Sequence, residues 1–433
     1  MNSLIRKGVR RLAVAATAVA AAGTVVALAP ASHASTTSEG VECETNSNGT
    51  FSLTADDGYA TTPDGNSIYM WGYGDSTNGF QLPGPTLCVT SGQKVTVVLH
   101  NTLPEPVSIM FPGQSGVQAD GKAAQPQFTT DATPTLSSLV QAANTGGSVT
   151  YTFTAGSPGT YLYESGTDVK KQTQMGLYGA LIVRPAGHPT WVNDRPDSVF
   201  TPGKEYLFLL SEVDPDVHLA VENNQPVDWS AYTARYFMIN GRSMPDTLAP
   251  NNASWLPNQP YGATVHIKPY DKTTNPLPAT IRYLNAGTVN YPFHPHGSDE
   301  RVINRDGHAL QGPNGEDLSY LKYDIDVGPG QSVDVLMDWH TEYDAVSNPI
   351  PNNTIPTITD QLLVGSDTWF SESPYLGTQN PTPTTITNNN ECGEYYHIAH
   401  SHALQQATNY GATFGGMMTL YRIDPPNGCP AGS

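Results

Sequence analysis

The feature that most constrains the fold is an internal repeat, in which one pattern of strands and turns recurs at an offset of 280 − 96 = 184 residues. Thr96–Asn101 and Thr280–Asn285 each begin an alternating strand that ends at Asn. Val107–Gly113 and Tyr291–Gly297 follow at the same offset without a gap, and each is expected to form strand, turn and strand before its glycine. Duplication of one structural unit is the simplest explanation.

The two halves also end in the same way. Gly159–Gly166 is followed by the apolar Gly176–Val183, and Gly393–Tyr396 leads through His400–His402 to Gly415–Tyr421. In each half a strand runs into a polar loop and an apolar strand returns. The 40 Gly and 36 Pro fit many short strands and turns and disfavour a helical bundle. We therefore predict an all-β fold made of two β-sandwich domains.

The first 34 residues are predicted to be a secretory signal peptide. A basic start precedes an Ala/Val/Leu-rich run over residues 12–30, and Ser32-His33-Ala34 offers small residues for cleavage after Ala34. The protein is therefore expected to be secreted, by the Sec route or, because Arg10-Arg11 permits it, by the twin-arginine route. A retained membrane anchor is the alternative for this segment. No other stretch is long and apolar enough to span a bilayer, so the mature chain is expected to have no transmembrane anchor.

The remaining chain is predicted to form a first domain at 43–186, a linker at 187–204 and a second domain at 205–425. An irregular insert at about 342–391 is rich in proline and ends in three asparagines. A stretch of this length without periodicity fits either a lid over a site or a surface insert.

Charge and cysteine content limit the function further. The net charge is −19, which argues against nucleic acid as a partner because phosphate binding needs a basic face. The four cysteines form no Cys-x-x-Cys pair, and in a secreted protein they are expected to form two disulfides. Three pairings are open, including a bridge that joins the two ends of the chain. The cysteines are Cys43, Cys88, Cys392 and Cys429.

Two His-x-His pairs are the strongest candidates for chemistry. His294 and His296 form one pair, and His400 and His402 form the other, with His397 three residues upstream. On a strand, residues i and i+2 point to the same face, so each pair presents two imidazoles side by side. Two such pairs on adjacent strands would place four nitrogens around one point, and imidazole binds Cu, Zn, Fe and Ni. The alternative is surface histidine without a ligand.

These motifs carry a resemblance to a known family. The stretch from Pro83 to Arg422 resembles the multicopper oxidases, which are built from cupredoxin domains. The resemblance rests on Gly84-Pro85-Thr86, on Asn285 before the Pro-Phe-His-Pro-His-Gly motif, on Gly176–Val183 and on the final Gly-Gly-Met strand. It implies two cupredoxin-like Greek-key β-sandwich domains. Family members hold a type 1 copper and a three-copper cluster, which bind to four His-containing motifs.

The resemblance also implies that half of the cluster ligands are lost. His294, His296, His400 and His402 match the third and fourth motifs, and they imply a site for one copper ion, or at most two. The first two motifs have lost their histidines and read Met110-Phe111-Pro112 and Glu164-Ser165-Gly166. The positions that the family uses for type 1 copper lack imidazole and thiolate here, so a type 1 centre is not expected. They are Asn290, Ser401, Gln406 and Ala412.

Glu164 occupies the position of one lost cluster ligand. A carboxylate with three or four histidines is a workable ligand set for Cu(II), Mn(II), Fe(II) or Zn, so Glu164 is a candidate ligand or metal-linked base. Its alternative is an ion pair with Lys170 or Lys171. His397 is a second candidate ligand, and its alternative is a packed strand histidine.

The sequence thus predicts a secreted copper-binding protein that acts as an oxidoreductase on an organic or phenolic small-molecule donor, with oxygen or peroxide as partner. The absence of a Gly-x-Ser-x-Gly elbow gives no support to a hydrolase of that type. Two alternatives are a protein that sequesters copper without catalysis and a structural module without metal. By resemblance, two-domain family members form homotrimers that share sites between chains, which would let Glu164 come from a neighbouring chain.

Overall fold

The structure is a computed structural model that describes residues 39–46, 48–75, 79–339, 395–411 and 415–424. The predicted signal peptide, the insert at about 342–391, Cys392, Cys429 and Ala412 lie outside the described residues. Within these ranges no helix has the length and apolar character needed to cross a bilayer.

The described residues fold almost entirely into strands. Those of the first half are β1 Thr50–Thr61, β2 Ser67–Asp75, β3 Gly84–Thr90, β4 Lys94–Asn101, β5 Gln118–Ala119, β6 Lys122–Ala123, β7 Gln127–Phe128, β8 Leu136–Ser138, β9 Ser148–Thr154, β10 Gly159–Glu164 and β11 Tyr178–Arg184. Those of the second half are β12 Glu205–Val213, β13 Tyr236–Ile239, β14 Val265–Ile267, β15 Ala279–Asn285, β16 Tyr291–Pro295, β17 Glu300–Arg305, β18 His308–Ala309, β19 Tyr320–Lys322, β20 Ile325–Val327, β21 Ser332–Met337, β22 Tyr395–Ser401 and β23 Met418–Ile423. Short helices are α1 Val169–Met175, α2 Pro215–Glu222 and α3 Leu404–Ala407.

Each half is a sandwich of two sheets. In the first half, strands in the order β2-β1-β4-β9-β5-β6 face the sheet β10-β11-β3, and an apolar core that includes Leu53, Val97 and Leu181 lies between them. In the second half, β13-β12-β15-β21-β17-β18 faces β14-β23-β22-β16-β20 across a core that includes Ile281 and Phe293. The predicted all-β class is confirmed. No strand lies between β11 and β12, where the linker was predicted.

The internal repeat extends to individual hydrogen bonds. Asn101 at the end of β4 donates from Nδ2 to the carbonyls of Glu105, at 2.8 Å, and Ala143, at 3.0 Å. Asn285 at the end of β15 donates from Nδ2 to the carbonyls of Val289 and Val327, both at 2.8 Å. Each acceptor in the second half follows its counterpart by 184 positions (289 − 105 = 327 − 143 = 184). Both asparagines therefore secure equivalent loops of a duplicated unit.

The repeat is incomplete at one place. Tyr291–Pro295 forms a strand, whereas its counterpart in the first half, predicted as strand, makes only single bridges from Val107 to Ala143 and from Met110 to Glu164. The strand prediction for Val107–Gly113 is therefore wrong in its extent.

A buried charge network joins the two halves. The guanidinium of Arg282 has no exposed surface, and it donates to Glu205 at 2.8 Å and to Asp334 at 3.3 Å. From the first half, Thr160 donates to Asp334 at 2.5 Å and Arg184 pairs with Glu205. Buried charges are stable only when paired and hydrogen-bonded, so this network fixes one half against the other.

One disulfide is described, between Cys43 and Cys88. It joins the segment before β1 to β3 within the first half. Because each of these cysteines pairs with the other, neither is available for a bridge to the C-terminal end. The expectation that Cys43 or Cys88 ties the two ends of the chain together is therefore wrong.

Candidate metal centre

The four histidines of the two pairs lie together on one face of a sheet. β16 and β22 are antiparallel neighbours, and their register places His294 directly opposite His400. The alternating Phe293 and Ala399 point into the core, so the imidazoles project from the outer face. The ring centroids of neighbouring members lie 4.8–5.8 Å apart. We call His294, His296, His400 and His402 the histidine cluster.

Backbone carbonyls orient two of these rings. His294 Nδ1 lies 2.6 Å from the carbonyl oxygen of Tyr323, and His400 Nδ1 lies 2.8 Å from that of Ser401. A carbonyl only accepts, so the hydrogen-bond pattern assigns the proton to Nδ1 in both rings. Nε2 of each neutral ring then carries the lone pair that a metal needs, and such outer hydrogen bonds are typical of metal-binding histidines.

The spacing of the nitrogens fits a common ligand sphere in part. His296 Nε2 and His400 Nε2 are 3.2 Å apart. Two nitrogens bound at about 2.0–2.1 Å to one ion, at angles between 90° and 110°, lie about 3 Å from each other. However, no group of three His, Cys, Asp or Glu side chains in the described ranges already converges on a single metal position. The four rings therefore lie close together without converging on one ion position.

The cluster lies beside an open depression of about 600 Å³, lined by residues that include His294, His296, Asp299 and Tyr323. Burial lowers the pKa of His400, and the three neighbouring imidazoles lower it further. Both effects favour the neutral imidazole, the form that binds metal. The depression leaves room for a small molecule next to the rings.

His397 is not a member of the cluster, although it also lines the depression beside it. It is three residues before His400 on β22, so its side chain points to the opposite face, where it is buried against the ring of Trp339 with centroids 4.7 Å apart. A Cβ on Gly297 would lie 2.5 Å from the His397 ring, which shows how closely the backbone passes. This placement is that of the packed strand histidine that the sequence offered as the alternative.

The positions that the family resemblance assigns to type 1 copper form a hydrogen-bonded group. Ser401 is fully buried and its hydroxyl donates to Gln406 Oε1 at 2.5 Å. Gln406 Nε2 donates to the carbonyl of Asn290 at 3.1 Å. Asn290, Ser401 and Gln406, which the family resemblance grouped, are thus neighbours in the structure. Their side chains offer hydroxyl and amide groups in place of thiolate and imidazole.

Glu164 is not brought to the histidine cluster. It ends β10, and its backbone pairs with Met110, so the two altered motifs of the first half lie side by side. Burial raises the pKa of the Glu164 carboxyl to about 7. In the described part of the chain no hydrogen bond or ion pair joins Glu164 to the four histidines. Lys171 pairs instead with Glu105 at 2.6 Å and Asp168 at 3.2 Å.

Sequence reasoning missed Tyr323. Its carbonyl anchors His294, and its exposed ring stands edge-on to the His294 ring with centroids 5.9 Å apart. Nothing in the sequence near His294 identifies this partner, because Tyr323 is 29 residues away.

Comparisons with known proteins give a family match in the first half of the chain. Residues 59–188 match the family model for multicopper oxidases. The chain is 31% identical over 156 residues to a multicopper oxidase of Cercospora beticola, covering 35% of this chain and 21% of that protein. It is 27% identical over 275 residues to an L-ascorbate oxidase of Cucurbita maxima, covering 59% of this chain and 41% of that protein.

The chain thus spans between a fifth and about two fifths of these two relatives. Among solved structures it resembles a multicopper oxidase, mgLAC, with a TM-score of 0.56 and 20% identity, covering 87% of this chain and 86% of that one. At this identity the likeness concerns the fold, and it supports the cupredoxin-like sandwiches. Taken with the family model over residues 59–188 and the relatives, it supports a relation of this chain to the multicopper oxidases, a family of copper-dependent oxidoreductases.

Proposed function

We propose that this protein is a secreted oxidoreductase that binds one copper ion at His294, His296, His400 and His402 and oxidises an organic or phenolic donor. The observation that carries the proposal is the clustering of four imidazoles on one sheet face, two of them oriented by backbone carbonyls. Copper is favoured over other divalent ions by the likeness to multicopper oxidases and by its position in the affinity order.

Copper would supply one-electron redox chemistry when bound. The chain's own contribution is to hold neutral Nε2 atoms toward the ion and to leave one side open. The balanced overall reaction is 2 ArOH + O₂ → 2 ArO• + H₂O₂, in which each phenol loses one electron and one proton and dioxygen gains two of each. The aromatic edge of Tyr323 lies where a planar donor would approach the His294 ring.

The open depression favours an enzyme over a protein that only sequesters copper. A sequestering site is expected to be closed and saturated by its ligands, whereas a catalytic site keeps a position for substrate. Here about 600 Å³ of open space adjoins His294 and His296. This observation also gives an entry route for oxygen.

The proposal includes a homotrimer in which the Glu164 carboxyl of one copy approaches the histidine cluster of the next. Its support is that Glu164 and the cluster make no contact within one chain, although both stand at positions that the family uses for metal. Size-exclusion chromatography with light scattering tests it, and a monomer at micromolar concentration would contradict it. The boundaries at 1–34, 43–186, 187–204 and 205–425, and export by a signal peptide, are also part of the proposal.

Copper binding is tested by loading the purified full chain, removing free metal and counting copper per chain. We expect one equivalent in the native protein and less than half an equivalent after His294→Ala combined with His400→Ala. His308→Ala is the matched control, because His308 is an exposed strand histidine outside the cluster. Less than half an equivalent in the native protein would refute both metal-binding functions.

Catalysis is tested on the copper-loaded chain with a phenolic donor and dioxygen, by following radical coupling products and hydrogen peroxide together. Two phenols consumed per peroxide is the expected ratio. Full copper occupancy with no turnover would leave the sequestering function as the better account.

A further inference from the structure

We propose that Asp324 supplies a carboxylate ligand to the cation held by the histidine cluster. This inference rests on the function proposed above, since it names a further residue of the same site. It draws on strand register, on the face to which the side chain projects and on an unpartnered oxygen atom.

The register of the edge strand places Asp324 beside His294. β20 runs antiparallel to β16, with Pro292 opposite Asp326 and Phe293 opposite Ile325. One step further along the ladder, the residue opposite His294 is Asp324. The two chains are still adjacent at this step, because His294 Nδ1 reaches the carbonyl of Tyr323.

Asp324 lies directly before β20, and the alternation of that strand, continued by one residue, directs its side chain toward the outer face. Ile325 and Val327 are buried in the core of the second half, whereas Asp326 is exposed. Side chains i and i+2 share a face, so Asp324 and Asp326 project from the face that carries the histidine cluster. Directly opposed residues on one face have Cβ atoms about 4.5–5.5 Å apart. Asp324, in the bend directly before β20, thus lies in one row with His294 on β16 and His400 on β22.

One oxygen of the Asp324 carboxylate is buried without a hydrogen-bond partner among the described residues. Its Oδ1 is shielded from solvent and accepts no hydrogen bond, and it is the only carboxylate oxygen in that state within the described ranges. Leaving a buried acceptor unpaired destabilises the folded protein, and the cost is larger for a charged group. A bound cation would remove this cost, so the orphaned atom is what an apo metal site is expected to show.

The chemistry of the enlarged donor set is consistent with a divalent metal. Carboxylate oxygen and imidazole nitrogen together bind Cu(II), and they also suit harder ions that four imidazoles alone would hold less well. One negative charge among four neutral rings also offsets part of the charge of the ion. The side chain of Asp is short, which suits a ligand on the strand next to the ion.

The test compares copper affinity in competition titrations of the full-length chain and two variants. Asp324→Asn keeps the shape and removes the charge, and we expect it to weaken Cu(II) binding at least tenfold. Asp326→Asn is the matched control, because Asp326 shares the strand and the face but stands opposite Pro292, and we expect a change of less than twofold. Electron paramagnetic resonance of the Cu(II) forms should show altered parameters for Asp324→Asn alone.

The outcomes separate this inference from the function on which it rests. If the native chain binds no copper, the proposed function fails and this inference fails with it. If the native chain binds copper and Asp324→Asn binds equally well with an unchanged spectrum, only this inference is overturned. An equal loss in both variants would also overturn it, since that result indicates long-range charge and not ligation.

Thermal unfolding of the metal-free native chain and variant shows whether the variant folds normally. Because Asp324→Asn removes an unpartnered charge, the metal-free variant should unfold at the same temperature as the native chain or higher. The rise in unfolding temperature on adding copper should be smaller for the variant than for the native chain. If the variant does not fold, the number of coupled nitrogens and the g and copper hyperfine values of the native Cu(II) protein decide, and an all-nitrogen ligand set would overturn the proposal.

Discussion

A buried glutamic acid in the second half makes stability depend on pH in a direction opposite to that of an ordinary ion-paired carboxylate. Glu300 has no exposed surface, and its carboxyl accepts hydrogen bonds from Tyr283 at 2.9 and 3.0 Å and from Tyr421 at 3.0 Å. No Lys or Arg among the described residues pairs with it. Burial therefore raises the pKa of Glu300 from 4.5 to about 8, against the opposing effect of the tyrosine hydroxyls.

The sign and size of the effect follow from proton binding. Between pH 4.5 and 8 the folded protein holds a proton on Glu300 that the unfolded chain has released. The free energy of unfolding therefore falls as pH rises, by about 1.4 kcal/mol per pH unit from this group. Between pH 5.5 and 7.5 the loss from Glu300 amounts to about 2–3 kcal/mol.

Glu300→Gln is expected to remove this loss while keeping an acceptor for the two tyrosines. Urea unfolding of both proteins is followed by tryptophan fluorescence at several pH values. At each pH the free energy of unfolding of the native chain is subtracted from that of the variant, so the contributions of the other titrating groups cancel. We expect the variant to gain about 2–3 kcal/mol relative to the native chain between pH 5.5 and 7.5. Asp299→Asn, at the exposed neighbouring position, should show no such gain. Parallel pH profiles for the native chain and Glu300→Gln would refute the argument.

Further predictions concern the disulfide, a glycine and the colour of the copper form. Replacing Cys43 and Cys88 with Ser opens a loop of 45 residues and should lower the free energy of unfolding by about 4 kcal/mol in denaturant titrations, and a loss below 1 kcal/mol would contradict this. Gly297→Ala introduces a Cβ at φ +92° that would lie 2.5 Å from the His397 ring, and should cost about 1–3 kcal/mol in the same assay, whereas an unchanged midpoint would show that this contact is easily relieved. The copper-loaded native chain should lack intense blue absorption, because Ser401 offers no thiolate, and an intense band would disprove this assignment.

The histidine cluster could be predicted from the sequence because it depends on local periodicity. Two His-x-His pairs on strands must each present their rings on one face, and the repeat indicates that both strands belong to one sandwich. The register that places His294 opposite His400 is the only further fact needed. The same local reasoning predicted the loop-securing asparagines Asn101 and Asn285 as strand ends.

Contacts between distant segments could not be predicted in this way. Tyr323 and Asp324 reach the cluster through the pairing of β20 with β16, and strand patterns do not identify partners. The pairing of Cys43 with Cys88 is likewise a consequence of which strands meet in space. Glu164 was expected near the cluster from motif position alone, and motif position carries no information about distance between the two halves.

The charge network around Arg282 bears on how such a duplicated protein can evolve or be redesigned. Although the halves began as copies, the carboxylates that neutralise Arg282 are in turn bound by Arg184 and Thr160 from the other copy. A first half taken from a relative without equivalents of Arg184 and Thr160 would leave Glu205 and Asp334 each with one buried partner fewer. Recombination between relatives that preserves this network must therefore keep these two residues together with the second half.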